Sequence, residues 1–127
     1  LIIKKQSVVG TDPFATHQGV SVDIRNGLFG GFNFFGLDPL QPMDFQAPAD
    51  MYLVGTIQNN PVNDWYWTML DSRAFPYINL FDVTQIRLGF QLDDNDDLGD
   101  DYIKFYSGDA EDQKDRPHLL IEYYVPR

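Results

Sequence analysis

Thr84-Gln85-Ile86-Arg87-Leu88-Gly89-Phe90-Gln91-Leu92 is the stretch on which the reading of the fold turns. Ile86, Leu88, Phe90 and Leu92 alternate with Gln85, Arg87, Gly89 and Gln91, and a period of two puts the first set on one side of an extended chain. Such a strand is half-buried, because its apolar side needs a core while its polar side accepts water. The same pattern stands upstream in Gly19–Arg25. There Val20, Val22 and Ile24 oppose Ser21, Asp23 and Arg25, and the turn-forming pair Asn26-Gly27 follows.

Outward from these two segments, Leu1–Val9, Tyr52–Ile57, Asp64–Leu70, Tyr102–Ser107 and Pro117–Val125 are further strand candidates, for seven strands in all. Helix has little room. Short helical turns are expected around Met43–Ala47 and Ser72–Phe75, with Asp44 and Ser72 as caps. Eight prolines and ten glycines punctuate the chain, and ten Phe, seven Tyr and two Trp can fill an interior. The expectation is an all-β fold: one antiparallel β-sandwich domain over residues 1–127.

Nineteen acidic against nine basic residues give a net charge of −10, which repels the phosphate backbone that supplies most nucleic-acid affinity. Nucleic acid and anionic membrane are therefore not expected partners. No apolar run is long enough for a membrane-spanning helix. The absence of cysteine excludes disulfides, thiol catalysis and cysteine-bound metal. The start Leu1-Ile2-Ile3-Lys4-Lys5, apolar and without an initiator Met, reads as the remainder of a longer polypeptide.

Three clusters are candidates for function. The run Asp93-Asp94-Asn95-Asp96-Asp97-Leu98-Gly99-Asp100-Asp101 offers several hard oxygens in a short turning segment, as Ca²⁺ requires. Each close aspartate pair costs roughly 1 kcal/mol of repulsion even in water, which a divalent ion would offset. Asp93, Asp94, Asn95, Asp97 and Asp100 are the expected ligands, with Asp109 or Asp112 as additions. Gly99 comes one residue late and Lys104 stands where a closing Glu belongs, so the run is not an EF-hand. A solvated acidic loop is the alternative.

Trp65 and Trp67 share one face of a strand and Tyr66 the other. Trp65 is expected in the core, while Tyr66, Trp67 and Tyr124 are candidate platforms for sugar rings. Phe32, Phe34 and Phe35, set among Gly30, Gly31 and Gly36, either plug the sandwich or form a contact with another subunit. Enzymatic signals are weak: His17 and His118 are the only histidines, and no nucleophile elbow surrounds Ser21, Ser72 or Ser107.

From Thr84 the string TQIRLGFQLDDNDDLGDDYIKFYSGDAEDQKDRPHLLIEYYVP resembles the C-terminal half of a DNRLRE-type domain. VVGTDPFATHQGVSVDIRNGLFG, NNPVNDWYWTML and AFPYINL support the resemblance. It implies a jelly-roll-like module, similar to carbohydrate-binding modules of large secreted bacterial proteins, usually non-catalytic, some of them binding acidic polysaccharides. It also implies that N-terminal strands are missing before Leu1 and that Phe32–Pro39 is an insertion.

Two functions are therefore expected. The first is a Ca²⁺-stabilised, secreted or cell-surface module that binds a polysaccharide or serves adhesion. The second is a structural subunit of an extracellular assembly or filament, completed by strands from another chain. That chain would be the N-terminal remainder of the precursor or a neighbouring copy.

Overall fold

The computed structural model describes residues 1–26, 42–92 and 97–127, with the backbone alone at Met43 and Asp44. Among these residues six strands form: β1 (Ile2–Val9), β2 (Val20–Asn26), β3 (Met51–Ile57), β4 (Trp65–Trp67), β5 (Thr84–Phe90) and β6 (Tyr102–Phe105). They build two antiparallel three-stranded sheets, in the orders β4-β1-β6 and β3-β2-β5. The all-β sandwich expected from the alternation is the fold.

The second sheet is the stronger half. β2 lies at its centre, paired with β5 along its whole length and with β3 on its other side. Its apolar alternates Val20, Val22 and Ile24 are buried, and Ile86, Leu88 and Phe90 of β5 pack against the same core. The polar alternates hold the outer face. The Ser21 hydroxyl donates to the Gly89 carbonyl at 3.0 Å. Arg87, opposite Asp23 in the ladder, donates Nη2–H to its carboxylate at 2.9 Å and Nη1–H to the carbonyls of Ala47 at 2.7 Å and Phe45 at 3.1 Å. One guanidinium thus ties the 3-10 turn Pro42–Gln46 to the sheet.

Asp23 has a second task. The β2–β3 register slips between Val22 and Ile24, and Leu53 takes up the slack with a φ of 50°. The Leu53 amide donates to Asp23 Oδ1 at 2.9 Å, and its carbonyl accepts from Arg73 Nη2 at 2.7 Å. Both backbone groups of the bulged residue are therefore satisfied by side chains.

The facing sheet contributes Ile3 of β1, Tyr66 of β4, and Ile103 and Phe105 of β6. A short helix that the alternation did not reveal, α1 (Pro13–Thr16), contacts both sheets through one side chain. Its sequence carries the cause: Asp12 is the N-cap, accepting from the Phe14 amide at 3.0 Å, and Pro13 occupies the first helical position. The helix inserts Phe14, which stacks on Tyr66 with ring centroids 4.6 Å apart and meets Phe90 edge-on at 5.2 Å. Burying one such ring stabilises the fold by about 1.5–3 kcal/mol.

Three expectations are corrected. The 3-10 turn Ser72–Tyr77 is capped by Asp71 and not by Ser72; the Asp71 carboxylate accepts from the Arg73 amide at 2.9 Å. β4 spans three residues, not Asp64–Leu70: Asn63 and Asp64 take φ values of 50° and 68°, so the extended run starts only at Trp65, and the ladder with β1 runs out at Ile2 opposite Trp67. Pro117–Val125 is not a strand: its ladder contact is one bridge, in which Ile2 and His118 exchange two backbone hydrogen bonds of 2.9 Å. Beyond His118, Leu119–Val125 join no ladder among the described residues. The Gly27 end of the Asn26-Gly27 turn lies outside the described residues.

Candidate functional site

Parity within β4 decides which aromatic is available to a ligand. Tyr66 stands opposite Ile3 of β1 in the ladder, and Ile3 points into the core. Tyr66 therefore does too, at 1% exposure, and cannot be a sugar platform. Trp65 stands opposite Lys4 on the outer face, where the ammonium lies 5.8 Å from its ring and 5.6 Å from that of Tyr106. The same ammonium donates to Asp115 at 2.6 Å. The core place expected for Trp65 thus belongs to Tyr66.

Tyr66 brings a polar handle into the core. Its hydroxyl is buried and finds no hydrogen-bond partner among the described residues. Burial, followed by the nearby charges of Asp12 and Asp64, pushes its pKa above the ordinary tyrosine range.

The other two aromatic candidates are accessible, Trp67 at 52% and Tyr124 at 101% exposure. Trp67 leads into an apolar groove of about 600 Å³. One wall is the run Trp67–Leu70 beside Leu1 and Ile2; another is Phe75, Ile78 and Leu80; the third is the C-terminal segment Leu119–Tyr123. Leu1, Leu70 and Ile78 line the groove and also pack against the buried core. The groove thus borders the core through these three side chains.

The lining carries few charges. Glu122 is its one charged side chain and Thr68 its one hydroxyl besides that of Tyr123, and the Leu1 ammonium donates to the Thr68 carbonyl at 2.9 Å. Met69, Phe75, Leu80, Leu120 and Tyr123 are all exposed on its rim and walls. The sequence analysis did not find this groove, although two of its signals were visible: the alternating segment Leu119–Val125 and the apolar string Tyr77-Ile78-Asn79-Leu80-Phe81.

The acidic run is described in part. Asp93, Asp94 and Asn95, expected as metal ligands, lie outside the described residues, as do Phe32, Phe34 and Phe35. Asp97 and Asp100 are exposed. Asp97 Oδ1 accepts from the Gly99 amide at 2.7 Å, an Asx-type turn, and Asp101 Oδ1 accepts from the Thr11 amide at 2.6 Å. Gly10, with φ of 72°, lies so close to Asp100 and Asp101 that a Cβ there would collide with both. Among the described residues no three His, Asp or Glu side chains gather into a metal-holding cluster.

The histidines are apart in environment. His17 is buried, its Nδ1 2.6 Å from the Thr16 hydroxyl and its ring against Phe90. His118 is exposed at the Ile2 bridge, near Trp65. No described helix is long and apolar enough to cross a membrane. No protein-family model matches the chain, and neither a curated protein nor a solved structure matches it, so the DNRLRE-type resemblance finds no support in these comparisons.

Proposed function

We propose that this chain is a non-catalytic structural module of an extracellular assembly, completed by an extended strand supplied by another polypeptide segment. The observation that carries this reading is an apolar groove whose lining residues Leu1, Leu70 and Ile78 also pack against the core, flanked by Leu119–Val125, which joins no ladder among the described residues. Strand addition meets both needs at once, because the incoming backbone pairs with free donors and acceptors while its alternate side chains fill the gap. The extracellular setting is inferred from the resemblance of Thr84–Pro126 to secreted modules.

Carbohydrate binding is the competing reading, resting on exposed Trp67 and Tyr124. It fits the groove less well. Sugar rings stack on aromatics but also need polar partners for their hydroxyls, and the lining offers little beyond Thr68 and Glu122.

Thermal melting of the isolated chain tests the choice, with a soluble peptide alternating Ile and Thr as one addition and alginate or a neutral glucan as the others. The peptide is expected to raise the midpoint and the glycans to leave it unchanged. A rise with a glycan that is lost in Trp67→Ala, without a rise from the peptide, would overturn the reading. Ca²⁺ at Asp93–Asp101 is a separate proposal; it predicts about 2.7 kcal/mol of added stability at a hundredfold excess over its dissociation constant.

A further inference from the structure

The strand-acceptor reading leaves open what kind of strand is accepted, and the C-terminal segment supplies the chemistry that selects it. Leu119, Ile121, Tyr123 and Val125 share one face by parity, with Leu120, Glu122 and Tyr124 on the other. Glu122 is the middle residue of Leu119–Val125, the only charged side chain in that stretch and in the groove lining. A strand laid antiparallel and in full register along the segment places its own middle residue opposite Glu122.

A second copy of this chain is disfavoured as that strand. Two-fold pairing of Leu119–Val125 with itself would set Glu122 opposite Glu122, and like charges facing each other across a ladder destabilise the pair. Each copy would also bring a net charge of −10. We propose instead that the occupant is a strand of a different polypeptide segment, apolar at alternate positions and carrying a Lys or Arg opposite Glu122. This inference rests on the strand-acceptor reading and adds to it the sign and place of the partner's charge. The apolar side chains supply affinity, and the ion pair supplies register and selects against self-pairing.

The test is a charge swap between two probes and two proteins. The probes are the peptides Ile-Thr-Ile-Lys-Ile-Thr-Ile and Ile-Thr-Ile-Glu-Ile-Thr-Ile, each with a neutral solubilising tail. The proteins are the native chain and Glu122→Lys, whose exposed position keeps the fold intact. Binding is read by the fluorescence of Trp67, with Trp65→Phe removing the other indole. The native chain is expected to bind the Lys peptide about tenfold more tightly than the Glu peptide at low salt, and Glu122→Lys to reverse the order. Raising the salt should shrink both preferences. Equal binding of both peptides by both proteins would overturn the charge assignment and leave strand acceptance standing. Binding of neither peptide would overturn strand acceptance itself. Sedimentation showing a native dimer that excludes the peptides would make a second copy the occupant and overturn the proposal.

Discussion

Val20–Ile24 and Leu119–Val125 both carry apolar or aromatic residues at every second position, Leu119, Ile121, Tyr123 and Val125 in the latter, yet the fold treats them in opposite ways. Val20, Val22 and Ile24 lie between two partner strands, at no more than 2% exposure. Leu120, Ile121, Tyr123, Tyr124 and Val125 are exposed, beside an open groove. Alternation states that a segment is suited to half-burial; whether it is buried depends on whether a ladder partner exists. The sheet around β2 is finished in the sense that both edges of that strand are paired, while Leu119–Val125 joins no ladder among the described residues.

The widest gap between the two regions is expected from paired truncations. Ile24→Ala removes a fully enclosed side chain and should cost about 3–4 kcal/mol in urea unfolding. Leu120→Ala, a similar change of volume at 75% exposure, should cost less than about 0.5 kcal/mol. Equal losses would erase the comparison.

Arg87→Ala attacks the finished sheet from its outer face. It leaves the Asp23 carboxylate without its cation and two carbonyls without their donor, and should cost about 2–3 kcal/mol by the same unfolding measurement. Arg87→Lys keeps a charge but not the fork, and should recover only part of the loss.

Tyr66→Phe sharpens the comparison in the other direction. It removes a buried hydroxyl that has no partner among the described residues, so stability should rise by about 1 kcal/mol. The same hydroxyl gives a pH signature. Its folded-state pKa is raised above 10.0, so the folded chain keeps a proton that the unfolded chain releases near that pH. Its share of stability is intact below about pH 10 and lost as pH climbs through the raised value. In Tyr66→Phe that share of the alkaline loss should be absent.

The finished half was the legible half. The alternation at Thr84–Leu92 and Gly19–Arg25 marked β5 and β2, and the inward sets Ile86, Leu88, Phe90 and Val20, Val22, Ile24 are those that pack. α1 was missed because four residues are too few to show a helical period, although Asp12-Pro13 is a capping signature. Trp65 and Tyr66 exchanged places because parity separates two faces without saying which is inside; the ladder partners Lys4 and Ile3 settle that. The groove was hidden for a related reason. Its walls come from Leu1, Trp67–Leu70, Phe75–Leu80 and Leu119–Tyr123, segments far apart along the chain that meet only in the fold.

Amide hydrogen exchange on the isolated chain tests the central claim most directly, since it reads backbone pairing residue by residue. The amides of Val20–Ile24 should be the most protected, and those of Leu119–Val125 should exchange close to the unfolded rate, then slow when the Lys-bearing peptide is added. Protection of Leu119–Val125 equal to that of β2 in the chain alone would mean that the segment already has its partner, and would contradict the account.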